Sequence, residues 1–151
     1  MWGNNLARNL VQLDALVAVA DQNAEAADEF ASAFNVMAMS VDELIEHSNI
    51  DGIVIATGAA SHDELALAGL ISAKHIYIEK PLSLSLAGAH AIRDTAKSVK
   101  RQVMVGHLIR YHAAFIELQK QLAAGTIGSL CHVQANRLAM GRIRTTESVL
   151  F

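Results

Sequence analysis

A chain of 151 residues, 52% hydrophobic and carrying a formal net charge of −3, is long enough for one domain with a real core and little more. No apolar run approaches the ~18 residues of a membrane span, and no basic block offers a nucleic-acid surface. Cys131 stands alone, so no intrachain disulfide can form, and the N-terminus lacks the charged-then-apolar pattern of a signal peptide. The expectation is a soluble, cytoplasmic protein with neither membrane nor nucleic acid among its partners.

The chain opens with Trp2-Gly3-Asn4-Asn5 and runs straight into a helical pattern, with Leu6, Leu10 and Leu13 on one face. Leu16 to Ala20 follows as a buried strand ending in Asp21. Residues 24–34 have helical periodicity behind Asn23 as N-cap, and Val36 to Met39 is a short strand. Ser40 and Glu43 have the spacing of a capping box, which predicts a helix ending near His47.

Residues 51–81 organise the rest. Ile53, Val54, Ile55 and Ala56 form an unbroken apolar run, as expected of a parallel strand buried on both faces. Thr57 to Ala60 make a turn of small residues. Ser61 and Glu64 then repeat the capping-box spacing ahead of a helix, and Ile76 to Ile78 forms the next strand, closing on Glu79-Lys80-Pro81. A helical crossover of this length joins parallel strands, whose ligands bind beyond their carboxyl ends. Thr57 and the Glu79-Lys80 pair fall at those ends.

Beyond Pro81, helical periodicity covers 84–99, a strand covers 102–106 and a further helix 111–124. Gly125 and Gly128 bracket a turn, and Leu130 to Leu138 alternates like a half-exposed strand. The composition changes once, after Gly106. This predicts a doubly wound α/β domain over residues 1–106, with residues 107–151 opening an α+β second domain.

Several residues carry chemistry. An acidic residue in Asp21's position can accept hydrogen bonds from ribose hydroxyls and repel a 2′-phosphate; the plainer alternative is helix capping. Lys80, held extended by Pro81, could stabilise a developing alkoxide, the alternative being a surface ion pair of little energetic weight. His107 and His112 lie five positions apart, which does not place them on one helix face, and no cysteine or carboxylate cluster joins them, so no metal site is expected. His62 and His107 read as rim residues, and Cys131 as structural. Arg137, Arg142 and Arg144 could bind a phosphate or carboxylate bidentately, or simply lie in a solvated loop.

Trp2-Gly3-Asn4-Asn5, Ala20-Asp21, DGIVIAT with the following Ser61-His62, HIYIEKP and VMVGHLIRYH, in this order, resemble the glucose–fructose oxidoreductase / inositol dehydrogenase / MocA family of NAD(P)-dependent enzymes acting mainly on sugars and cyclitols. The later segment is most similar to members that oxidise nucleotide-linked sugars such as UDP-N-acetyl sugars. The resemblance implies a Rossmann-like fold and hydride transfer between a sugar hydroxyl and a nicotinamide cofactor, with NAD preferred over NADP through Asp21. It implies that Asp21 binds the adenosine ribose and that Ala56, Thr57 and His62 line the cofactor. Glu79 and Lys80 would lie beside the nicotinamide, with Lys80 also reaching substrate; His107 and Arg110 would sit close to the same pocket. Arg137 and Arg142 are the substrate-side candidates. A cis Lys80-Pro81 bond is common in the family, and a homo-oligomer is expected of the full-length parent.

Gly58 and Ala113 depart from the family, which usually has proline at the first and often at the second. The family's first strand and glycine-rich loop should precede Trp2, and its Asp-plus-His motif should follow Phe151, so the resemblance implies a sheet truncated at its first strand. The helix start at Trp2-Gly3 is where a pyrophosphate would rest. On this view the isolated chain has lost most dinucleotide affinity and is inactive, and the rival function is a non-catalytic nucleotide-binding module or a degenerate remnant. The strands ending at Asp21 and Thr57 should either pair directly, accept a partner's strand between them, or leave the chain marginally stable.

Overall fold

The structure is a computed structural model and describes residues 2–136 and 138. Its elements run α1 (Trp2–Gln12), β1 (Ala18–Val19), α2 (Ala24–Phe34), β2 (Met37–Ala38), α3 (Val41–Glu46), β3 (Gly52–Ile55), α4 (His62–Ile71), β4 (His75–Ile78), α5 (Leu86–Ser98), β5 (Val103–Val105) and α6 (Ala113–Ala123). Short 3-10 turns occupy Ala59–Ser61 and Leu108–Tyr111. Strand and helix alternate through β5, as expected of an α/β chain. The chain divides into two compact units between Leu108 and Ile109.

Local chemistry explains several boundaries. Asn23 caps α2, its side chain accepting the amides of Glu25 and Ala26, and Asn35 ends that helix in the left-handed region at φ 53°. The Ser40–Glu43 capping box forms as expected: Ser40 Oγ accepts the Glu43 amide and Glu43 Oε2 accepts the Ser40 amide. This carboxylate–amide bond holds the Glu43 carboxyl below the usual glutamate range. Ser85 caps α5 through the Gly88 amide, and His112 caps α6 through its Nδ1.

All strand pairs are parallel, but they form two sheets. One pairs β1 with β2, and the other has the order β3-β4-β5. Among the described residues β1 and β3 do not pair, so direct closure of that gap, one expected outcome, does not occur. In the three-stranded sheet Ile53, Ile76 and Val103 share one row and Ile55, Ile78 and Val105 another. These residues face α4 and α5, and Ile55, Ala66, Leu70, Ile76, Ile78, Ile92 and Ala96 make the buried core.

The opposite face overturns one expectation. β3 is not buried on both sides: Ile55 is buried, but Val54 is 36% exposed, and Met104 of the same row 44%. Period-two alternation carries these residues away from the α4–α5 layer. β1 is likewise shorter than the apolar run from Leu16 to Ala20 and only half-buried, because β2 is its one described neighbour. The alternating segment from Leu130 forms no strand among its described residues, all of them exposed. Alternation supplies a face, but a strand also needs a neighbour to take its backbone hydrogen bonds. The described part of the second unit is therefore helical, and Cys131 is exposed rather than built into a sheet. No helix among the described residues is long and apolar enough to cross a membrane.

Candidate functional site

The parallel register gathers polar groups at the carboxyl ends of β3, β4 and β5. Past the aligned Ile55, Ile78 and Val105, the ladder continues through Glu79 N–H to Ile55 O (2.9 Å) and Gly106 N–H to Ile78 O (2.8 Å). Ala56, Glu79 and Gly106 therefore form the first row beyond the strands, and Thr57, Lys80 and His107 are the residues that follow them in the chain. Thr57, Lys80 and His107 are exposed. Three adjacent strand ends thus present a hydroxyl, an ammonium and an imidazole along one rim.

Glu79 is set by its own row. Its Oε1 accepts the Tyr77 hydroxyl at 3.2 Å, and both groups pass over Gly106. A Cβ at Gly106 would lie 2.8 Å from Glu79 Oε1 and 2.9 Å from Tyr77 Oη, so a side chain at this position would push the pair aside. The absence of a Cβ at β5's end is what lets the carboxylate lie across it.

The Thr57 turn differs from the sequence expectation. Ser61 makes no capping box with Glu64; no side-chain bond caps α4. Its hydroxyl instead meets Thr57 Oγ1 at 2.7 Å and the Gly58 carbonyl at 3.0 Å. The nearer partners across the Ala59–Ser61 turn take the hydroxyl that the cap would use.

His62 is 1% exposed. Its Nδ1 lies 2.7 Å from the Pro81 carbonyl and its Nε2 3.3 Å from the Thr57 carbonyl. Both partners are carbonyl acceptors, and an N–H at Nδ1 can donate to Pro81 across the shorter contact. His62 thus ties the backbone after Lys80 to the turn after β3. The Lys80-Pro81 peptide is cis.

Asp21 is exposed just after β1, and its Oδ1 accepts the Asn23 amide at 3.0 Å. At the start of α1, a Cβ on Gly3 would stand 4.0 Å from that of Ala56, so the first turn of this helix lies against the end of β3. Trp2 is its first residue. Arg110 is exposed on the Leu108–Tyr111 turn, in the second unit. Arg137 and Arg142 lie outside the described residues.

A shallow cleft of about 410 Å³ opens elsewhere, lined by Ala38, Met39, Glu43, Glu46 and His47. Glu43 in it is already engaged by Ser40, and none of the rim residues contributes. Among the described residues no group of three or more histidines, cysteines or carboxylates could hold a metal ion. Sequence reasoning missed Tyr77 and Gly106, whose parts depend on neighbouring strands, and Asp63, whose carboxylate accepts the Ser83 hydroxyl at 2.9 Å.

Comparison with known proteins yields a consistent set. Residues 3–107 match the profile of an oxidoreductase family described by its NAD-binding Rossmann fold. The inositol 2-dehydrogenase of Acidothermus cellulolyticus is 31% identical over 140 residues, covering 89% of this chain and 41% of that protein. The scyllo-inositol 2-dehydrogenase (NAD(+)) of Bacillus subtilis is 30% identical over 115 residues, or 75% of this chain and 34% of that one. Among solved structures, the UDP-N-acetylglucosamine 3-dehydrogenase of Acidithiobacillus ferrooxidans superposes with a TM-score of 0.75 at 30% identity, covering 80% of this chain and 39% of that one. The chain thus spans about two fifths or less of the length of these relatives.

Proposed function

The chain belongs to the glucose–fructose oxidoreductase / inositol dehydrogenase / MocA family of oxidoreductases with an NAD-binding Rossmann fold, and from that premise we propose that the rim of β3, β4 and β5 serves hydride transfer between a nicotinamide dinucleotide and a sugar or cyclitol hydroxyl. The observation that carries this reading is the parallel register that sets the ends of β3, β4 and β5 side by side, with Thr57, Lys80 and His107 each the next residue in the chain after Ala56, Glu79 and Gly106.

The chemistry of these residues suits such a cofactor. Asp21 keeps one carboxylate oxygen clear of its bond to Asn23, and a carboxylate accepts from a ribose diol but repels a 2′-phosphate. NAD is therefore the favoured cofactor. The start of α1 beside Ala56 offers backbone amides and the positive end of a helix to a pyrophosphate. The cofactor itself supplies hydride acceptance. Lys80, exposed at the rim, would orient the substrate hydroxyl and stabilise the negative charge that develops on its oxygen as the O–H proton passes to a general base, charge that is relieved when the carbonyl forms and hydride passes to the cofactor. Glu79, steadied by Tyr77, shapes the floor beneath it. Ala56, Thr57 and His107 line the cofactor side, and Arg110 is a further candidate for a cofactor contact. His62 acts from beneath, by holding the backbone on which Lys80 is mounted. Arg137 and Arg142 are the groups we assign to the phosphates of a nucleotide-linked sugar, the substrate named for the Acidithiobacillus relative.

Asp21→Ala tests the cofactor assignment. In a longer protein carrying this segment, titrated in parallel with NAD and NADP, the variant should lose affinity for NAD more than for NADP. Equal losses would remove Asp21 from the ribose. In a longer protein carrying this segment, Lys80→Met should lower turnover by roughly 100-fold or more while leaving the fold intact.

A further inference from the structure

The loop that follows Lys80 is held at two places, and only the first involves His62. The second is the neighbouring side chain on α4. Asp63 Oδ2 accepts the Ser83 hydroxyl at 2.9 Å. That hydroxyl also lies 2.9 Å from the Ser85 carbonyl and accepts the Ser85 amide at 3.0 Å. Ser85 in turn caps α5 through the Gly88 amide at 3.0 Å. A chain of polar contacts therefore runs from the first turn of α4 through the loop into the first turn of α5.

Gly88 makes the contact possible. A Cβ there would collide with Asp63 Oδ2 and stand 2.7 Å from Asp63 Cγ and 2.5 Å from Ser83 Oγ. Glycine inside a helix costs roughly 0.5–1 kcal/mol relative to alanine, so its place in the first turn of α5 needs a reason. The Asp63 carboxylate occupying that space supplies one. The carboxylate rests against the positive end of a 13-residue helix, which favours its charge. Its Oδ1 is buried with no hydrogen-bond partner, a cost that a merely decorative aspartate would avoid by turning to solvent.

We infer that Asp63, seated on Gly88 and bonded to Ser83, is a positioning residue for Lys80. With His62 it fixes the loop after β4 to the first turn of α4, so that the ammonium is presented from a backbone restrained on both sides: by the β3 ladder at Glu79 and by α4 from Pro81 to Ser83. The functional weight of this device rests on the reading of Lys80 given above. The restraint itself does not.

Backbone ¹⁵N relaxation of the chain without cofactor separates the two. In the wild type, the Lys80 and Ser83 amides should have order parameters of about 0.85, those of rigid backbone. Asp63→Ala and Gly88→Ala should each lower them toward about 0.6, with amides in the middle of α4, such as Leu67, unchanged. Asp63→Asn, which keeps an acceptor for Ser83, should restore most of the rigidity. The double variant Asp63→Ala/Gly88→Ala should be no looser than Asp63→Ala alone, because the alanine then fills vacated space. Ser83→Ala removes the hydroxyl without disturbing packing and should loosen the loop as well, even if Gly88→Ala fails to fold. Order parameters at Lys80 that stay near the wild-type value in both Asp63→Ala and Ser83→Ala would overturn the inference. A rigid-to-mobile change accompanied by no effect of Lys80→Met on cofactor or turnover would leave the restraint standing and reject the role of Lys80 instead.

Discussion

His62 Nδ1 and the carbonyl oxygen of Pro81 lie 2.7 Å apart, joining the first residue of α4 to the backbone just after Lys80. The ring is 1% exposed, and its other nitrogen faces the Thr57 carbonyl. One buried side chain thus bridges two of the three strand ends that carry the rim, those of β3 and β4. His62→Ala removes the donor and leaves a void among core residues. It should destabilise the chain by about 2–3 kcal/mol in urea unfolding. A change within about 0.5 kcal/mol would mean that the bridge carries no load.

Gly106 and the Tyr77–Glu79 pair form a second coupled set. Gly106→Ala should displace the pair, because the added Cβ would meet both oxygens within 2.9 Å. Both are ends of flexible side chains, so the expected cost is modest, about 1 kcal/mol, at the low end of overpacking. In a Tyr77→Phe background the cost should shrink, since one of the two oxygens is gone. Equal costs in both backgrounds would separate Gly106 from this pair.

The α3 capping box has a pH signature. The Ser40 amide and hydroxyl bind the ionised Glu43 carboxylate, so the folded pKa is lowered relative to the unfolded chain. A lowered carboxyl pKa contributes stability above the unfolded carboxylate range and loses it as pH falls through the folded value. The stability difference between wild type and Glu43→Gln should therefore be largest near neutral pH and shrink on acidification. A difference independent of pH would show that Glu43 acts without its charge.

The sequence was informative where physics is local. Asn23, Ser40 with Glu43, and the glycines at 125 and 128, both at φ near 70°, each do what their neighbours in the chain dictate. The strand ends at Glu79 and Gly106 were also legible, because apolar runs stop where polar residues begin. Errors arose where a nearer partner or a missing neighbour decided the outcome. Ser61 takes Thr57 and Gly58 in place of a cap, and the residues from Leu130 alternate without a described strand to pair with. Lys74 could not have been foreseen: it is 6% exposed, and its ammonium donates to the carbonyls of His47 and Ile50, both at 2.7 Å. Nothing in the periodicity around a lysine announces that two distant carbonyls will bury it. The Asp63–Gly88 contact is of the same kind. Each residue is unremarkable until α4 and α5 pack side by side.

The most direct test of the central claim, that the carboxyl-end rim receives a nicotinamide dinucleotide, is amide chemical-shift mapping of the ¹⁵N-labelled chain during an NAD titration carried to millimolar concentration. Shifts should concentrate at Asp21, Gly3, Ala56, Thr57, Glu79, Lys80 and His107, while His75 and Gln102, at the opposite ends of β4 and β5, stay in place. Shifts clustered at those opposite ends or in the cleft beside Glu46, with the rim unmoved, would contradict it.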